Sequence, residues 1–154
     1  MLEDILLSGQ VIRYHANPYM NRTQQTVAEH CWGVAALIYK LNPNPSRALI
    51  AAALFHDSGE MWAGDLPAPF KMANPELAAR HAEIEEKLAT EAGVPVVALN
   101  ESELAWLKFA DRLESFLFMR QHGQHWSREG INELLERATA LGVNHETQQI
   151  IGGN

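Results

Sequence analysis

The chain has 154 residues, and the 47% that are hydrophobic suit one domain, residues 1–154, with a single substantial core. Its formal net charge of −7 opposes the phosphate neutralisation that nonspecific binding to a nucleic-acid polymer requires, so small-molecule partners are expected instead. No apolar run approaches the roughly 20 residues of a membrane span, and no basic signal region opens the sequence. The single cysteine, Cys31, excludes an internal disulfide, and we expect a cytoplasmic protein.

Proline, glycine and asparagine residues divide the first half of the chain into helix-length segments. Residues 2–12 have helical periodicity. Residues 27–41 carry apolar side chains at spacings of three and four, which is typical of the buried stripe of an amphipathic helix. A further helix is predicted to open at Asn44 and Pro45, as N-cap and first-turn proline, with Leu49 facing inward.

The second half of the chain continues the helical pattern. Asn74 precedes a proline and predicts another helix start, and Asn100 with Glu103 resembles a capping box. Residues 127–141 also read as helical, whereas the tail, residues 145–154, is expected to be frayed. Because no pair of alternating segments is bounded by hairpin turns, the sequence predicts an all-α bundle of about six helices.

Two histidines and one aspartate fall on inward-facing positions of the first predicted helices. His30 lies three residues after Val27 and four before Val34, on the apolar side of its helix. His56 and Asp57 each follow an inward-facing alanine by four residues, near the C-terminal end of the next helix. A buried aspartate needs a compensating partner, so an ion pair or a shared metal is expected.

A second inward-facing carboxylate comes from a third helix, since Asp111 lies four residues after Leu107. Two imidazoles and two carboxylates form a ligand set suited to Zn, Mn, Co or Fe(II), with positions left open for water. Structural zinc sites favour several cysteines, and this chain has one. Spacing alone leaves hydrogen-bonded core histidines and a helix-end ion pair as open alternatives.

At these positions the sequence resembles the HD-domain phosphohydrolases, whose pattern is a histidine, a His-Asp pair and a distant aspartate. The resemblance covers roughly residues 10–120 and extends to the bacterial 5′-deoxynucleotidase branch. Within that branch, residues 11–15 and 25–34 look closest to the dATP triphosphohydrolases of phages that use 2-aminoadenine in their DNA. The blocks that carry the branch resemblance are Thr26–His30, His56–Glu60, Gly64–Lys71 and Lys108–Asp111.

The resemblance implies hydrolysis of dATP to deoxyadenosine and triphosphate by attack of a metal-activated water on the α-phosphorus. It implies a Zn, Co or Mn ion, with additional Mg accompanying the triphosphate. Glu60 and Asp65 are the implied catalytic groups, against a solvated helix-end glutamate and a turn-capping aspartate as alternatives. The implied metal ligands are His30, His56, Asp57 and Asp111.

Substrate contacts are predicted on both sides of this site. Arg13 can fork onto phosphate oxygens, and Lys108 is expected to point inward beside Asp111. Tyr14 occupies the position where the resembling enzymes place a tryptophan that helps select deoxyribose. The full set of predicted substrate-binding residues is Arg13, Tyr14, Ala16, Trp32, Lys71 and Lys108.

Two other functions stay open from the sequence. One is a 5′-deoxynucleotidase that releases phosphate from deoxynucleoside monophosphates, and the other is a noncatalytic nucleotide-binding protein on the same fold. Because the resembling proteins form homodimers or larger rings, a homo-oligomer is expected, with residues 78–88 or 131–141 as contact surfaces. A phage-encoded protein of this kind would act in the cytoplasm of its bacterial host.

Overall fold

The computed structural model describes residues 2–153, which form helices and connecting loops. The predicted all-α fold is confirmed, since this range contains no strand and only an isolated antiparallel bridge between Ile12 and Thr26. None of its helices is both long and apolar enough to cross a bilayer. In chain order the helices are α1 (Leu2–Ser8), α2 (Val27–Leu41), α3 (Arg47–Phe55), α4 (Glu60–Ala63), α5 (Ala68–Ala73), α6 (Pro75–Glu91), α7 (Glu101–Gln121), α8 (Arg128–Ala140) and α9 (His145–Gly152).

The core lies where α2, α3 and α7 pack against one another. Ile38 of α2, Leu49 of α3 and Phe109 of α7 are all fully buried there. Helix α8 covers α7 and adds the fully buried Leu134, while α6 packs against α4 and α5. Burial of large apolar side chains at about 25 cal/mol per Å² fixes α2, α3 and α7 relative to one another.

Side-chain caps define where the central helices begin. Thr26 caps α2 through a capping box with Glu29, and Asn100 with Glu103 forms the predicted capping box of α7. The predicted start of α3 was wrong by two residues, because the side chain of Ser46 accepts from Leu49 N and makes Arg47 the first helical residue.

The number of helices and the state of the tail also differ from the prediction. Residues 2–153 contain nine helices rather than about six, because the short helices α4 and α5 form on either side of the loop at residues 64–67 and the tail adds α9. The tail was predicted to be frayed, but Asn144 caps α9 and Ile151 is 1% exposed in the core. Residue 154 lies outside the described range.

Candidate metal centre and active site

The four predicted metal ligands come from α2, from α7 and from the turn that follows α3. His30 lies in the first turn of α2, and Asp111 lies in the middle of α7. Helix α3 ends at Phe55, so His56 is its C-cap and Asp57 follows in the turn, rather than both lying on the helix face as predicted. Because α2, α3 and α7 pack directly against one another, these side chains converge.

The convergence is close enough for a shared ion. His30, His56 and Asp111 each offer one ligand atom, and these atoms all lie within 4.8 Å of one another. Nε2 of His30 is 3.1 Å from Oδ1 of Asp111. Asp57 stands outside this group of three, but its two carboxylate oxygens lie 3.4 Å from Nε2 of His30 and 3.4 Å from Nε2 of His56.

Hydrogen bonding leaves the same nitrogen of each imidazole available. The Nδ1–H of His30 donates to a carboxylate oxygen of Glu114, and the Nδ1–H of His56 donates to the Ala53 carbonyl at 2.9 Å. Both Nε2 atoms are buried and make no hydrogen bond within the described structure. Once the Nε2 proton has been lost, imidazoles held in this tautomer beside two carboxylates fit the donor preferences of a first-row divalent metal.

The carboxylates around the cluster favour positive charge at the two imidazoles, as the pKa values of the group indicate. Burial alone lowers the pKa of His30, but the carboxylates of Asp111 and Glu114 outweigh it and raise the pKa to about 9. For His56, burial again lowers the pKa, and the Asp57 carboxylate with Cys31 and Asp111 raises it to about 9. Burial would raise the pKa of Asp111, yet the imidazoles hold it below its ordinary value. A proton or a metal ion can supply this charge.

Glu60, predicted as a catalytic group, is the first residue of α4 and is buried. Its Oε2 makes no hydrogen bond within residues 2–153. Burial, followed by the charges of Asp57 and Asp65, raises the pKa of the Glu60 carboxyl to about 9. This carboxyl therefore holds a proton near neutral pH.

Asp65 and Lys71 form an ion pair beside Glu60, across the loop between α4 and α5. The Lys71 ammonium lies 3.2 Å from Oδ1 of Asp65 and donates to it. Burial lowers the pKa of Lys71, but Asp65 outweighs that effect, so its pKa is above the ordinary value. The predicted catalytic aspartate and the predicted phosphate-binding lysine are thus partners.

Arg13 and Tyr14 precede α2. Arg13 is connected to the cluster by Glu114, which contacts both Arg13 and His30. The Arg13 guanidinium donates to Oε1 of Gln25 at 3.0 Å and lies 3.4 Å from Oε2 of Glu114, which also contacts His30. Tyr14 adopts a left-handed backbone conformation, with φ of 59°, and its ring stacks on Phe118 at a centroid distance of 6.0 Å. The Arg13 guanidinium lies 5.0 Å from the centroid of the Tyr14 ring.

Three predicted substrate residues are exposed. Lys108 was expected to point inward, which is wrong, because the buried face of α7 is formed by Trp106, Phe109 and Ala110. Trp32 is 70% exposed, on the opposite side of α2 from His30. Ala16 lies on an exposed loop.

The prediction missed two polar residues that support the site, Glu114 and Gln25. Both are buried, at 9% and 4% exposure, and Gln25 Nε2 donates to Glu114 Oε1 at 2.6 Å. A sequence signal existed for Glu114, since it follows Asp111 by three residues and lies between apolar positions of α7. Gln25 carries no such signal because it precedes the helix.

A cavity of about 400 Å³ opens beside His56 and Asp57. Its far side is formed by apolar residues of α7 and by Glu85 of α6, and burial with the charge of Asp57 raises the pKa of Glu85 to about 7. Helix α6 comes this close because residue 59 is glycine, where an added Cβ would lie 2.4 Å from Cγ of Glu85.

Together, the fold and the cluster define a helical protein with a histidine–aspartate site suited to a divalent metal, next to a protonated glutamate. The profile of the 5′-deoxynucleotidase YfbR-like family matches residues 10–121, so the chain belongs to this family of the metal-dependent HD-domain superfamily. The predicted resemblance to the 5′-deoxynucleotidase branch is confirmed, whereas a specific kinship with phage dATP triphosphohydrolases stays a prediction.

Two curated relatives are similar to the chain. A 5′-deoxynucleotidase of Pasteurella multocida is 34% identical over 111 residues, which cover 66% of this chain and 54% of the relative. A 5′-deoxynucleotidase of Vibrio parahaemolyticus is 37% identical over 71 residues, covering 40% of this chain and 36% of the relative. The chain therefore matches about half the length of the first relative and about a third of the second. No solved structure matches the chain significantly.

Proposed function

We propose that this chain is a metal-dependent phosphohydrolase that releases phosphate from deoxynucleoside 5′-monophosphates. The observation that carries the proposal is the convergence of His30, His56 and Asp111 next to the protonated Glu60. Membership of a 5′-deoxynucleotidase family and the names of the two relatives support the same reaction. This is the 5′-deoxynucleotidase alternative of the sequence analysis rather than the dATP triphosphohydrolase.

In this reaction the oxygen of water forms a bond to phosphorus, and the bond between phosphorus and the 5′ oxygen of the sugar breaks. His30, His56, Asp57 and Asp111 would hold a Zn, Co or Mn ion, whose chemistry is to acidify water and withdraw charge from phosphoryl oxygens. Glu60 holds a proton near neutral pH and can deliver it to the leaving sugar oxygen, and the proton released by the attacking water restores it. The products are a deoxynucleoside and phosphate.

The residues around the cluster have separate proposed roles. Arg13 has a planar guanidinium that can bind two phosphate oxygens, and it is already oriented by Gln25 and Glu114. Asp65 can accept a hydrogen bond from a sugar hydroxyl, with Lys71 balancing its charge. Tyr14, stacked on Phe118, offers a flat surface beside Arg13 against which a sugar or a base can pack.

A dATP triphosphohydrolase is the second candidate, and it is favoured by the sequence of residues 11–15 and 25–34. Among Lys71, Arg112 and Lys108, two cations argue against a triphosphate, because carboxylates already neutralise them. Lys71 pairs with Asp65, and Arg112 donates to Glu133 at 3.0 Å. Lys108 is exposed and has no ion pair within residues 2–153, so it is the one of these three cations left for the two additional phosphates.

Chromatography of the reaction products tests the proposal directly. The full chain is incubated with Mn²⁺ or Co²⁺ and either dAMP or dATP, with the other deoxynucleoside monophosphates and AMP as further substrates. We expect deoxyadenosine and phosphate from dAMP. Release of triphosphate from dATP, with dAMP left intact, would replace the proposal by the second candidate. Tight nucleotide binding without turnover of any substrate would instead identify a noncatalytic binding protein.

A further inference from the structure

Glu114 is a buried carboxylate that connects the metal cluster to the predicted phosphate-binding arginine. It lies on α7, one turn after Asp111. Its Oε1 accepts from Gln25 Nε2 at 2.6 Å, and its Oε2 accepts from Nδ1 of His30. The same Oε2 lies 3.4 Å from the Arg13 guanidinium. One side chain thus contacts a predicted metal ligand, a buried amide and a predicted substrate-binding group.

Helix α2 leaves space for the Glu114 side chain at Gly33. Gly33 lies three residues after His30 in α2, and a Cβ built at Gly33 would lie 2.9 Å from Cγ of Glu114. That distance is shorter than real Cβ contacts allow, so any other residue at this position would force Glu114 to move. Glycine is unfavourable within a helix. The glycine therefore leaves the space that the Glu114 side chain occupies.

We propose that Glu114 is a positioning residue that fixes His30 for metal binding and orients Arg13 towards the same site. By accepting from Nδ1–H, it holds the tautomer in which the Nε2 lone pair faces Asp57 and Asp111. The inference rests on the metal site of the proposed function. It adds a residue that touches neither metal nor substrate but determines the geometry of groups that do.

A purely structural role for Glu114 would have different consequences. A buried ion pair with Arg13 would stabilise the fold without changing the intrinsic affinity of the folded chain for a metal. A carboxylate that is hydrogen-bonded to a ligand imidazole increases the basicity of the imidazole and restricts its rotation. Loss of such a carboxylate typically weakens metal binding about 10–100-fold. Metal affinity therefore separates the two roles.

The test titrates Co²⁺ into the metal-stripped full chain and follows the visible absorption of the bound ion. For Glu114→Ala we expect the Kd for Co²⁺ to rise about 10–100-fold, with a smaller rise for the isosteric Glu114→Gln. Glu101→Ala, at an exposed position of the same helix, is the matched control and should bind Co²⁺ like the wild type. Circular dichroism establishes that each variant is folded.

Two more variants keep the test decisive if Glu114→Ala does not fold. Gly33→Ala retains the carboxylate but displaces it, and should raise the Kd for Co²⁺ about tenfold. In the Gln25→Glu/Glu114→Gln double variant, the amide at 114 can accept from His30 and donate to the new carboxylate, which accepts from Arg13. This exchange restores every hydrogen bond, so we expect tighter Co²⁺ binding than in Glu114→Gln alone.

The outcomes distinguish this inference from the proposed function. Wild-type Co²⁺ affinity in folded Glu114→Gln and Gly33→Ala would overturn the role of Glu114 and leave the metal site intact. A wild-type chain that binds no Co²⁺ would overturn the proposed function, and the inference with it. The effect on substrate binding should also be separable from the effect on metal binding. Loss of Glu114 should raise KM even when Co²⁺ is saturating, because Arg13 is no longer oriented.

Discussion

The two sides of the histidine–aspartate cluster compensate their charges differently. On one side, formed by α2, α7 and the segment before α2, His30, Gln25 and Arg13 surround the Glu114 carboxylate; we call this side the ligand flank. The other side is formed by α4, α5, α6 and the loop between α4 and α5, and we call it the acid flank. It consists of Glu60, Asp65, Lys71 and Glu85, so its carboxyl groups outnumber its cations. The pKa values of Glu60 and Glu85 are accordingly raised to about 9 and about 7.

The difference assigns a different task to each flank. Hydrogen bonds and packing fix the ligand flank before any ligand arrives, as a metal site requires. The acid flank contains carboxyls that hold protons near neutral pH, as proton transfer to a leaving group requires. Perturbed pKa values of this kind are common at active sites. Changes to either flank should therefore affect different measurable quantities.

The largest effect should come from Glu60 on the acid flank. Glu60→Gln removes the titratable proton but keeps the shape of the side chain, so we expect kcat to fall about 10²–10⁴-fold. Metal content should be unchanged, as measured by atomic absorption, because Glu60 is not among the converging ligands. Glu83→Gln, on the exposed face of α6, is the control. Activity within a few-fold of wild type would leave Glu60 with a structural role only.

The next largest effect should come from Arg13 on the ligand flank. In Arg13→Ala we expect kcat/KM for dAMP to fall about 10–100-fold, mainly through KM, because a charge-assisted hydrogen bond to phosphate is lost. Arg13→Lys should recover only part of the loss, since an ammonium lacks the guanidinium fork. Arg112→Ala removes a guanidinium that pairs with Glu133 and serves as control. An unchanged KM in Arg13→Ala would exclude phosphate binding by Arg13.

A smaller effect is expected from Lys71. Its side chain is 42% exposed, so solvent screens its charge, and Lys71→Ala should lower kcat/KM less than about tenfold. Lys87→Ala, which removes an exposed lysine paired with Glu91, is the matched control. If Lys71→Ala were as damaging as Arg13→Ala, the ion pair with Asp65 would be essential for organising the acid flank.

The smallest effect should appear as a pH dependence of stability in the metal-free chain. His30 and His56 have pKa values raised from 6.5 to about 9, so the stability they contribute is complete below pH 6.5 and is lost as pH rises through 9. The pKa of Glu60 is also raised, to about 9, because the folded chain binds this proton more tightly than the unfolded chain does. Its contribution to stability therefore also decreases as pH rises through this range. We expect Tm in EDTA to fall by roughly 3 °C or more between pH 6.5 and 9.

Added metal should oppose this trend. Metal binding requires deprotonated imidazoles, so the stabilisation by Co²⁺ should grow as pH rises over the same window. In His56→Ala, the metal-free Tm and the stabilisation by Co²⁺ should both depend less on pH. A metal-free Tm that stays constant or rises between pH 6.5 and 9 would contradict the charge balance described for the cluster.

Helical periodicity and caps predicted the inward placement of His30 and the start of α7 at Asn100, because both follow from local geometry. The same reasoning failed for Lys108. It took the side of α7 that carries Leu107 and Asp111 as the buried one, whereas Trp106 and Phe109 face the core. In a helix with apolar residues on several sides, packing against α2 and α3 determines which side is buried.

Contacts between distant parts of the chain could not be predicted from local pattern. The bond between His30 and Glu114 spans 84 residues, and its partners are recognisable only once α2 and α7 are packed together. The tail was misjudged for the same reason, because Ile151 is buried by contacts that α9 makes with α8 and the core.

The most direct test of the metal site measures Co²⁺ stoichiometry and dAMP turnover together, in the wild-type chain and in Asp57→Ala. Asp57 approaches both imidazoles at 3.4 Å, so its loss should remove a ligand and an essential negative charge. We expect about one Co²⁺ per wild-type chain, with turnover, and neither in Asp57→Ala. A folded Asp57→Ala protein that hydrolyses dAMP without bound metal would contradict the account.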